Sequence, residues 1–359
     1  MQNSGGATLL FPAVGQAATD YLIAARERAE TVVRAASVAN LEMSADWGEC
    51  HRLPSIYDAD FESSFASLVQ QFNVARVYCP VSSVHDFMRR YIGQGKSNLK
   101  LLGVSPIQQQ MDSHRRLMQR ASALWPFIRS TAAQGEPIRL IEWAGILRQA
   151  ALIYGESNDD KLAALAGVFS TAPKGDVIEI GSLMGRSAFV LIYLAWRYSV
   201  GAVLTVDPWQ PFAAVQKDSP LEFQALVDEW DFEVLSEGFA VNMVPMRTLD
   251  HAHIRAQSAE GYRKYAAGET ILSISGEPVE YERRVAVIHI DGNHDYSSVR
   301  EDCELWLTRL VPGAWLILDD YIWAHGDGPY RMGNELLRDE VDRIERAFVS
   351  GKALFVKFH

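Results

Sequence analysis

Chemistry-capable residues of this chain gather where apolar runs end. The stretch Asp176–Ser187, DVIEIGSLMGRS, places Glu179 inside the apolar run Val177, Ile178, Ile180. Two glycines, Gly181 and Gly185, and two serines, Ser182 and Ser187, follow, and then an apolar helix pattern to about Tyr198. A strand, a glycine turn and a helix start make a nucleotide cradle. Glycine admits a ligand close to the backbone, and the first N–H groups of a helix lack internal partners. The spacing is G-x-x-x-G, not the dinucleotide pattern G-x-G-x-x-G. Asp207 ends the next apolar run, about twenty residues further on, where a carboxylate suits a ribose diol. The plainer role for such an acid is to cap a turn.

Asp291 follows the apolar run Val285–Ile290, and Asp319 and Asp320 follow Ala314–Leu318. Three carboxylates converging at one rim must bind a cation, share a proton or repel one another. His294, three residues past Asp291, is placed to take a proton from a hydroxyl or amine. His289 lies inside its strand and reads as a satisfied core histidine, whereas His325 sits in a polar loop, AHGDGPYR, within reach of the rim.

The elements that must position these groups alternate between strand and helix, which implies a parallel sheet with helices on its faces. At 359 residues the chain is long enough for more than one core. We expect an N-terminal α/β domain over residues 1–104, a helical connector and cover over 105–165, and a Rossmann-like α/β domain over 166–359. In the last, strands are expected at 176–180, 202–206, 239–245, 285–290, 314–318 and 353–358. Helices are expected at 187–198, 221–235, 297–310 and 331–348, and 261–281 is expected to be an irregular insertion or flap.

Hydrophobic content of 48% and charged content of 22% are those of an ordinary globular protein. A net charge of −11, with no basic run, argues against a nucleic-acid partner. Three well-separated cysteines, Cys50, Cys79 and Cys303, suit reduced thiols and a cytoplasmic setting. No secretory pattern opens the chain. Ala188–Val206 approaches membrane-span length, but Arg197 and Gly201 interrupt it, so it reads as a buried helix and strand, with no membrane partner. The apolar N-terminal and helical parts suggest a homodimer.

The acid two residues before the first glycine makes the Asp176–Ser187 stretch resemble the first motif of class I S-adenosylmethionine (SAM) methyltransferases. The stretch Ile290–Tyr321, IDGNHDYSSVREDCELWLTRLVPGAWLILDDY, is similar to the second half of small-molecule members, including catechol-type and natural-product O-methyltransferases. The resemblance covers roughly residues 165–320. It implies a SAM site built on Glu179, Gly181, Ser182, Gly185, Ser187, Asp207, Trp209 and Asp291. It also implies a divalent cation, Mg²⁺ by its oxygen ligands, held by Asp291, Asp319 and Asp320. Related natural-product enzymes often carry an acid where Asn293 stands, and that departure moves the expected catalytic base to His294, beside Asp291. Aromatic faces at Trp209, Tyr296, Tyr321 and Trp323 would attract a sulfonium cation or simply pack.

The first hundred residues, with LLFPAVGQA, HRLPSIYDADF and VYCPVSSVHDF, resemble the small α/β domain that precedes ATP-grasp bodies, although no such body follows. The expected activity is methyl transfer from SAM to an oxygen or nitrogen of a small biosynthetic molecule. Two alternatives stand beside it. One is an enzyme that cyclises SAM itself to azetidine-2-carboxylate and methylthioadenosine. The other is a non-catalytic SAM-binding module.

Overall fold

Short β-branched runs punctuated by glycine and proline give this chain its strands, and the structure orders most of them into one parallel sheet and one largely parallel sheet. The computed structural model describes residues 6–38, 47–132, 135–217, 225 and 227–359. Two compact units result, residues 1–116 and 117–359. The segment expected as a connector, 105–165, is divided between them.

The first unit runs β1 (Ala7–Leu10), α1 (Gln16–Glu27), β2 (Val32–Ala36), β3 (Cys50–Arg52), α2 (Phe61–Gln71), β4 (Val74–Tyr78), α3 (Ser82–Gly93) and β5 (Lys100–Leu102). Its sheet order is β3-β2-β1-β4-β5, with every pairing parallel. Phe61 and Phe65 on α2 and Val84, Met88 and Tyr91 on α3 recur at helical spacing and bury one apolar face against the strands. Ser82 does not cap α3 with its side chain; its hydroxyl accepts the Ile107 N–H at 3.0 Å instead. Residues 39–46, between β2 and β3, lie outside the described residues.

α4 (Pro106–Thr131) runs across the boundary between the units, and in the second unit α5 (Leu140–Ala150) and α6 (Asp159–Val168) precede a seven-stranded sheet. Its first strand and helix are β6 (Asp176–Ile180) and α7 (Arg186–Arg197). Next come β7 (Val203–Val206), α8 (Pro211–Ala214), α9 (Phe232–Met243), β8 (His251–Ile254) and α10 (Ser258–Ala267). A small hairpin, β9 (Ile271–Leu272) and β10 (Pro278–Val279), leads to β11 (Val285–Ile290), α11 (Tyr296–Trp306) and β12 (Leu310–Leu318). The chain closes with α12 (Gly328–Asp339), β13 (Ile344–Ser350) and β14 (Ala353–Phe358).

The sheet order is β13-β14-β12-β11-β6-β7-β8. The five strands from β12 to β8 are parallel, and β14 and β13 add antiparallel at the edge. One apolar cluster, with α5, α6 and α7, covers one face; a second, with Val299, Cys303, Trp306 and Leu336 of α11 and α12, covers the other. Chain order reverses between β6 and β11, so the crevice beyond their carboxyl ends is the place for a ligand. Among the described residues no helix is long and apolar enough to cross a membrane; Ala188–Val206 divides between α7 and β7.

Three sequence expectations are corrected. Phe239–Pro245 is not a strand: Asp231 caps a helix there through its carboxylate, to Glu233 N–H and Val234 N–H, and the edge strand is His251–Ile254. Residues 261–281 are not a flap, since they hold most of α10 and the hairpin. Asp176, at the start of β6, pins this segment by accepting from the Tyr265 hydroxyl at 2.7 Å and from Glu282 and Arg283 N–H at 3.0 and 2.7 Å. The expected helix 331–348 stops at Asp339, and Ile344–Ser350 pairs with β14 instead. Of the helix expected over 221–235, residues 221–224 and 226 lie outside the described residues, and 232–235 open α9.

Candidate active site

Gly181 ends β6 at the switch point with φ +80°, and an added Cβ would sit 2.0 Å from the Asp291 carbonyl oxygen. No other residue fits here. We expect Gly181→Ala to force the ends of β6 and β11 apart, at a cost of roughly 2–4 kcal/mol from strain and overpacking. Urea unfolding measures it, and a change below about 0.5 kcal/mol, the usual surface range, would refute this account of the turn.

Beyond Gly181 the turn closes on Asp207, at the end of β7. One carboxylate oxygen accepts Ser182 N–H at 2.8 Å and Leu183 N–H at 3.1 Å, and the other accepts Trp209 N–H at 2.8 Å. The turn N–H groups expected to face a nucleotide are therefore held by this acid. Asp207 is both the turn acid and a wall of the cleft. Burial raises its pKa against the pull of these N–H groups. Trp209 donates its indole N–H to Leu183 O at 2.8 Å and packs on Phe239, 5.1 Å between ring centres. Gly185, φ +91°, opens α7 with no side-chain cap, and its missing Cβ makes room for Met243 and Phe239.

A single hollow of about 1180 Å³ spreads over these strand ends. Gly181, Ser182, Ser187, Asp207, Trp209, Asp291, His294 and Asp320 all line it. Three expected contacts do not. Gly185 is behind the turn. Glu179 is fully buried and spent on the Ser182 hydroxyl at 3.0 Å and His289 Nδ1 at 3.1 Å, so it positions the turn. Asp319 faces inward. Of the aromatic candidates, Trp209 and Trp323 line the hollow; Tyr296 instead donates its hydroxyl to Glu335 at 2.5 Å and Tyr321 packs on Tyr330. His325 lines the hollow too.

Around Asp291 and His294 the hollow is a polar cluster. His294 Nε2 is buried without a hydrogen bond, 3.7 Å from Asp291 Oδ1 and 3.5 Å from Asp320 Oδ2, and Nδ1 lies 3.2 Å from the Gln216 amide nitrogen. Burial opposes an imidazolium here, but Asp291 and Asp320 outweigh it and hold the pKa above its ordinary value. Asn293 cannot act as a base, since its amide donates to Ala213 O and Val215 O at 3.1 and 2.9 Å and ties the segment after α8 to this loop. Lys352 pairs with Asp320 at 2.8 Å.

Lys161 is the participant that sequence reasoning missed. It sits in the first turn of α6, where every residue from Lys161 to Val168 is buried, and its Nζ ion-pairs with Asp319 and, at 3.3 Å, with Asp291. The same Nζ is 3.3 Å from His289 Nε2. For His289, burial and the Lys161 charge oppose a second proton, while Asp319, Glu179 and Asp291 would raise the pKa to about 9. The ammonium contact decides for the neutral ring: an ammonium only donates, so Nε2 accepts and the proton on Nδ1 faces Glu179. His289 is thus the satisfied core histidine expected, inside a buried relay. The one available signal was a lone lysine inside the alanine-rich apolar run DDKLAALAGV.

The expected metal set does not assemble. Asp291 groups with His289 and Asp319 on one side and with His294 and Asp320 on the other, and no grouping brings Asp291, Asp319 and Asp320 together among the described residues. Asp319 has Lys161 as its cation. These residues do not fit a three-aspartate Mg²⁺ site.

Asp302 on α11, which also lines the hollow, is a buried acid whose pKa burial pushes up to about 7, the Ser258 hydrogen bond opposing. The folded chain keeps this proton where the unfolded chain has lost it. Stability therefore falls as pH rises from about 4 to about 7, by on the order of 3 kcal/mol, and stays lowered above. Asp302→Asn is expected to remove that loss: more stable than the parent at pH 8, nearly equal at pH 4, by urea unfolding. A variant no more stable at pH 8 would contradict the assignment.

Residues 178–321, which build this floor and most of its rim, match the model of a methyltransferase domain family. The match lies within the second unit. No curated protein matches the chain in sequence. Solved structures similar to it include the O-methyltransferase NovP, 15% identical over 61% of this chain and 81% of that one, TM-score 0.39. Another is CalS11, a TDP-rhamnose 3'-O-methyltransferase of calicheamicin biosynthesis, 14% identical over 71% and 96%, TM-score 0.35. A third is MycE methyltransferase of the mycinamycin pathway in complex with Mg, SAH and mycinamycin VI, 17% identical over 52% and 45%, TM-score 0.29.

Proposed function

We propose that this methyltransferase domain transfers the methyl group of SAM to an oxygen or nitrogen of a small biosynthetic molecule, with His294 receiving the proton. One observation carries the reading: the segment that matches the domain family supplies Gly181, Asp207, Asp291, His294 and Asp320 to one hollow. At about 1180 Å³ that hollow exceeds the roughly 300–1,000 Å³ usual for one small ligand, so it has room for cofactor and acceptor together.

In this reading the adenosyl group lies against the Gly181 turn, with its ribose hydroxyls on the remaining acceptor capacity of Asp207. Phe212, Trp230, Phe232 and Trp323 line the hollow and offer an apolar bed to the acceptor. Transfer needs alignment of nucleophile, methyl and sulfur, and removal of one proton. The nucleophile–methyl bond forms, the sulfur–methyl bond breaks with its electron pair kept on sulfur, and the proton passes to His294 Nε2. Asp291 and Asp320 stabilise the imidazolium. For Nε2 to accept, the ring must carry its proton on Nδ1 and give it to the Gln216 carbonyl oxygen, which a half-turn of that amide brings into place. A SAM cyclase without an acceptor has no observation in its favour.

Calorimetric titration with S-adenosylhomocysteine (SAH) tests the cofactor half. The expected result is one site per chain at micromolar affinity, about −8 kcal/mol. Methyl-labelled SAM offered with hydroxylated and amino acceptors then tests transfer. No heat at millimolar SAH would overturn the reading.

A further inference from the structure

The carboxylates at the rim of the hollow already have cations beside them. Lys161 Nζ stands between Asp319 and Asp291, paired with both, and Lys352 Nζ holds Asp320 at 2.8 Å. Lys161 is 2% exposed in its side chain and does not line the hollow, whereas a quarter of the Asp291 side chain is exposed. A divalent ion drawing on both Asp291 and Asp319 would have to sit where the ammonium is, with two like-signed charges side by side. Mg²⁺ also demands near-octahedral oxygen ligation at about 2.0–2.1 Å, and the Asp319 oxygen that would serve is the one Lys161 occupies.

We propose that Lys161 is the resident cation of this site: its ammonium replaces a divalent metal between Asp291 and Asp319, and it acts as a positioning residue that fixes the Asp291 carboxylate at the wall of the hollow. In the other grouping, Asp291 with His294 and Asp320, Lys352 already pairs with Asp320, so on this proposal the site works without a metal. This concerns the hollow assigned above to methyl transfer, but its test does not need transfer.

The chain also explains how the lysine is kept there. The Asn158 side chain caps α6 by accepting Lys161 N–H at 3.0 Å, and Arg120 pairs with Asp159 beside it. Both fix the first turn that aims Lys161 at the strand ends.

Mn²⁺ is the probe, followed by its electron paramagnetic resonance signal in free solution. Wild-type protein is expected to leave millimolar Mn²⁺ free, and SAH affinity is expected to be the same with and without EDTA. Stoichiometric capture of Mn²⁺ by wild type, lost in Asp320→Asn, would overturn the proposal, as would SAH affinity abolished by EDTA. Lys161→Gln is expected to expose the carboxylate pair, to take up one Mn²⁺ per chain and to gain thermal stability from it, while Lys161→Arg, which keeps the charge, takes up none. A folded Lys161→Gln chain blind to Mn²⁺ would overturn the proposal; should that variant fail to fold, the wild-type and Arg measurements decide. Absence of SAH binding with or without EDTA counts against the methyltransferase reading alone, and the Mn²⁺ result still judges Lys161.

Discussion

Replacing Asp207 by alanine is expected to lower SAH affinity by at least about 100-fold. The carboxylate accepts three backbone N–H groups, from Ser182, Leu183 and Trp209. Hydrogen bonds to a charged group contribute about 1.5–3 kcal/mol each, so the loss of even two exceeds the roughly 2.7 kcal/mol that 100-fold represents. The damage is local: the turn after Gly181 is released, and the left-handed Leu183, φ 49°, and Trp209, φ 43°, lose what holds them. Asp207→Asn keeps one acceptor but turns an NH₂ group toward backbone donors, so an intermediate loss is expected. Calorimetry with SAH reads both variants. Affinity within threefold of wild type in the alanine variant would show that the turn is not the cofactor site.

The second large effect belongs to His294. A positioned general base contributes typically 10²- to 10⁴-fold, and His294→Ala is expected to reduce kcat by that order with the KM for SAM little changed. The sign of the pH dependence follows from its surroundings. Burial works against the imidazolium, yet Asp291 and Asp320 raise the pKa above the 6.5 of a free imidazole. The base form is therefore scarce at low pH, and the wild-type rate is expected to rise with pH through an apparent pKa above 6.5. In His294→Ala this rise disappears. Steady-state kinetics from pH 5.5 to 9 measure it, and an unchanged kcat would remove His294 from the mechanism.

Much of this frame was legible in the residues. The Gly181 turn, Asp207, Asp291 and Asp320 follow apolar runs, and a parallel sheet brings such positions to one edge without knowledge of any contact. Misread elements share a cause. The runs at 239–245 and 331–348 are apolar or periodic enough for either structure, and what decided them was remote: the Asp231 cap in the first case, pairing of Ile344–Ser350 with β14 in the second. The strand His251–Ile254 hides because its two histidines break the β-branched pattern.

Side-chain assignments failed where a residue's direction mattered. Glu179 in β6 and Asp319 just past the end of β12 lie beside the hollow, but their carboxylates turn toward His289 and Lys161. Lys161 arrives from a helix that precedes the sheet in the chain. No spacing along the sequence connects it to Asp319, 158 residues away. The three-aspartate expectation counted acids without the ammonium that neutralises them.

The central claim is that the crevice between β6 and β11 holds an adenosyl cofactor with its sulfur turned toward Asp291 and His294. A crystal structure of the protein with SAH bound tests it most directly. The account predicts adenosine against the Gly181 turn, ribose hydroxyls on Asp207, and the sulfur facing Asp291 and His294 across open space for an acceptor. SAH bound elsewhere, or with its sulfur turned away from that pair, would contradict it.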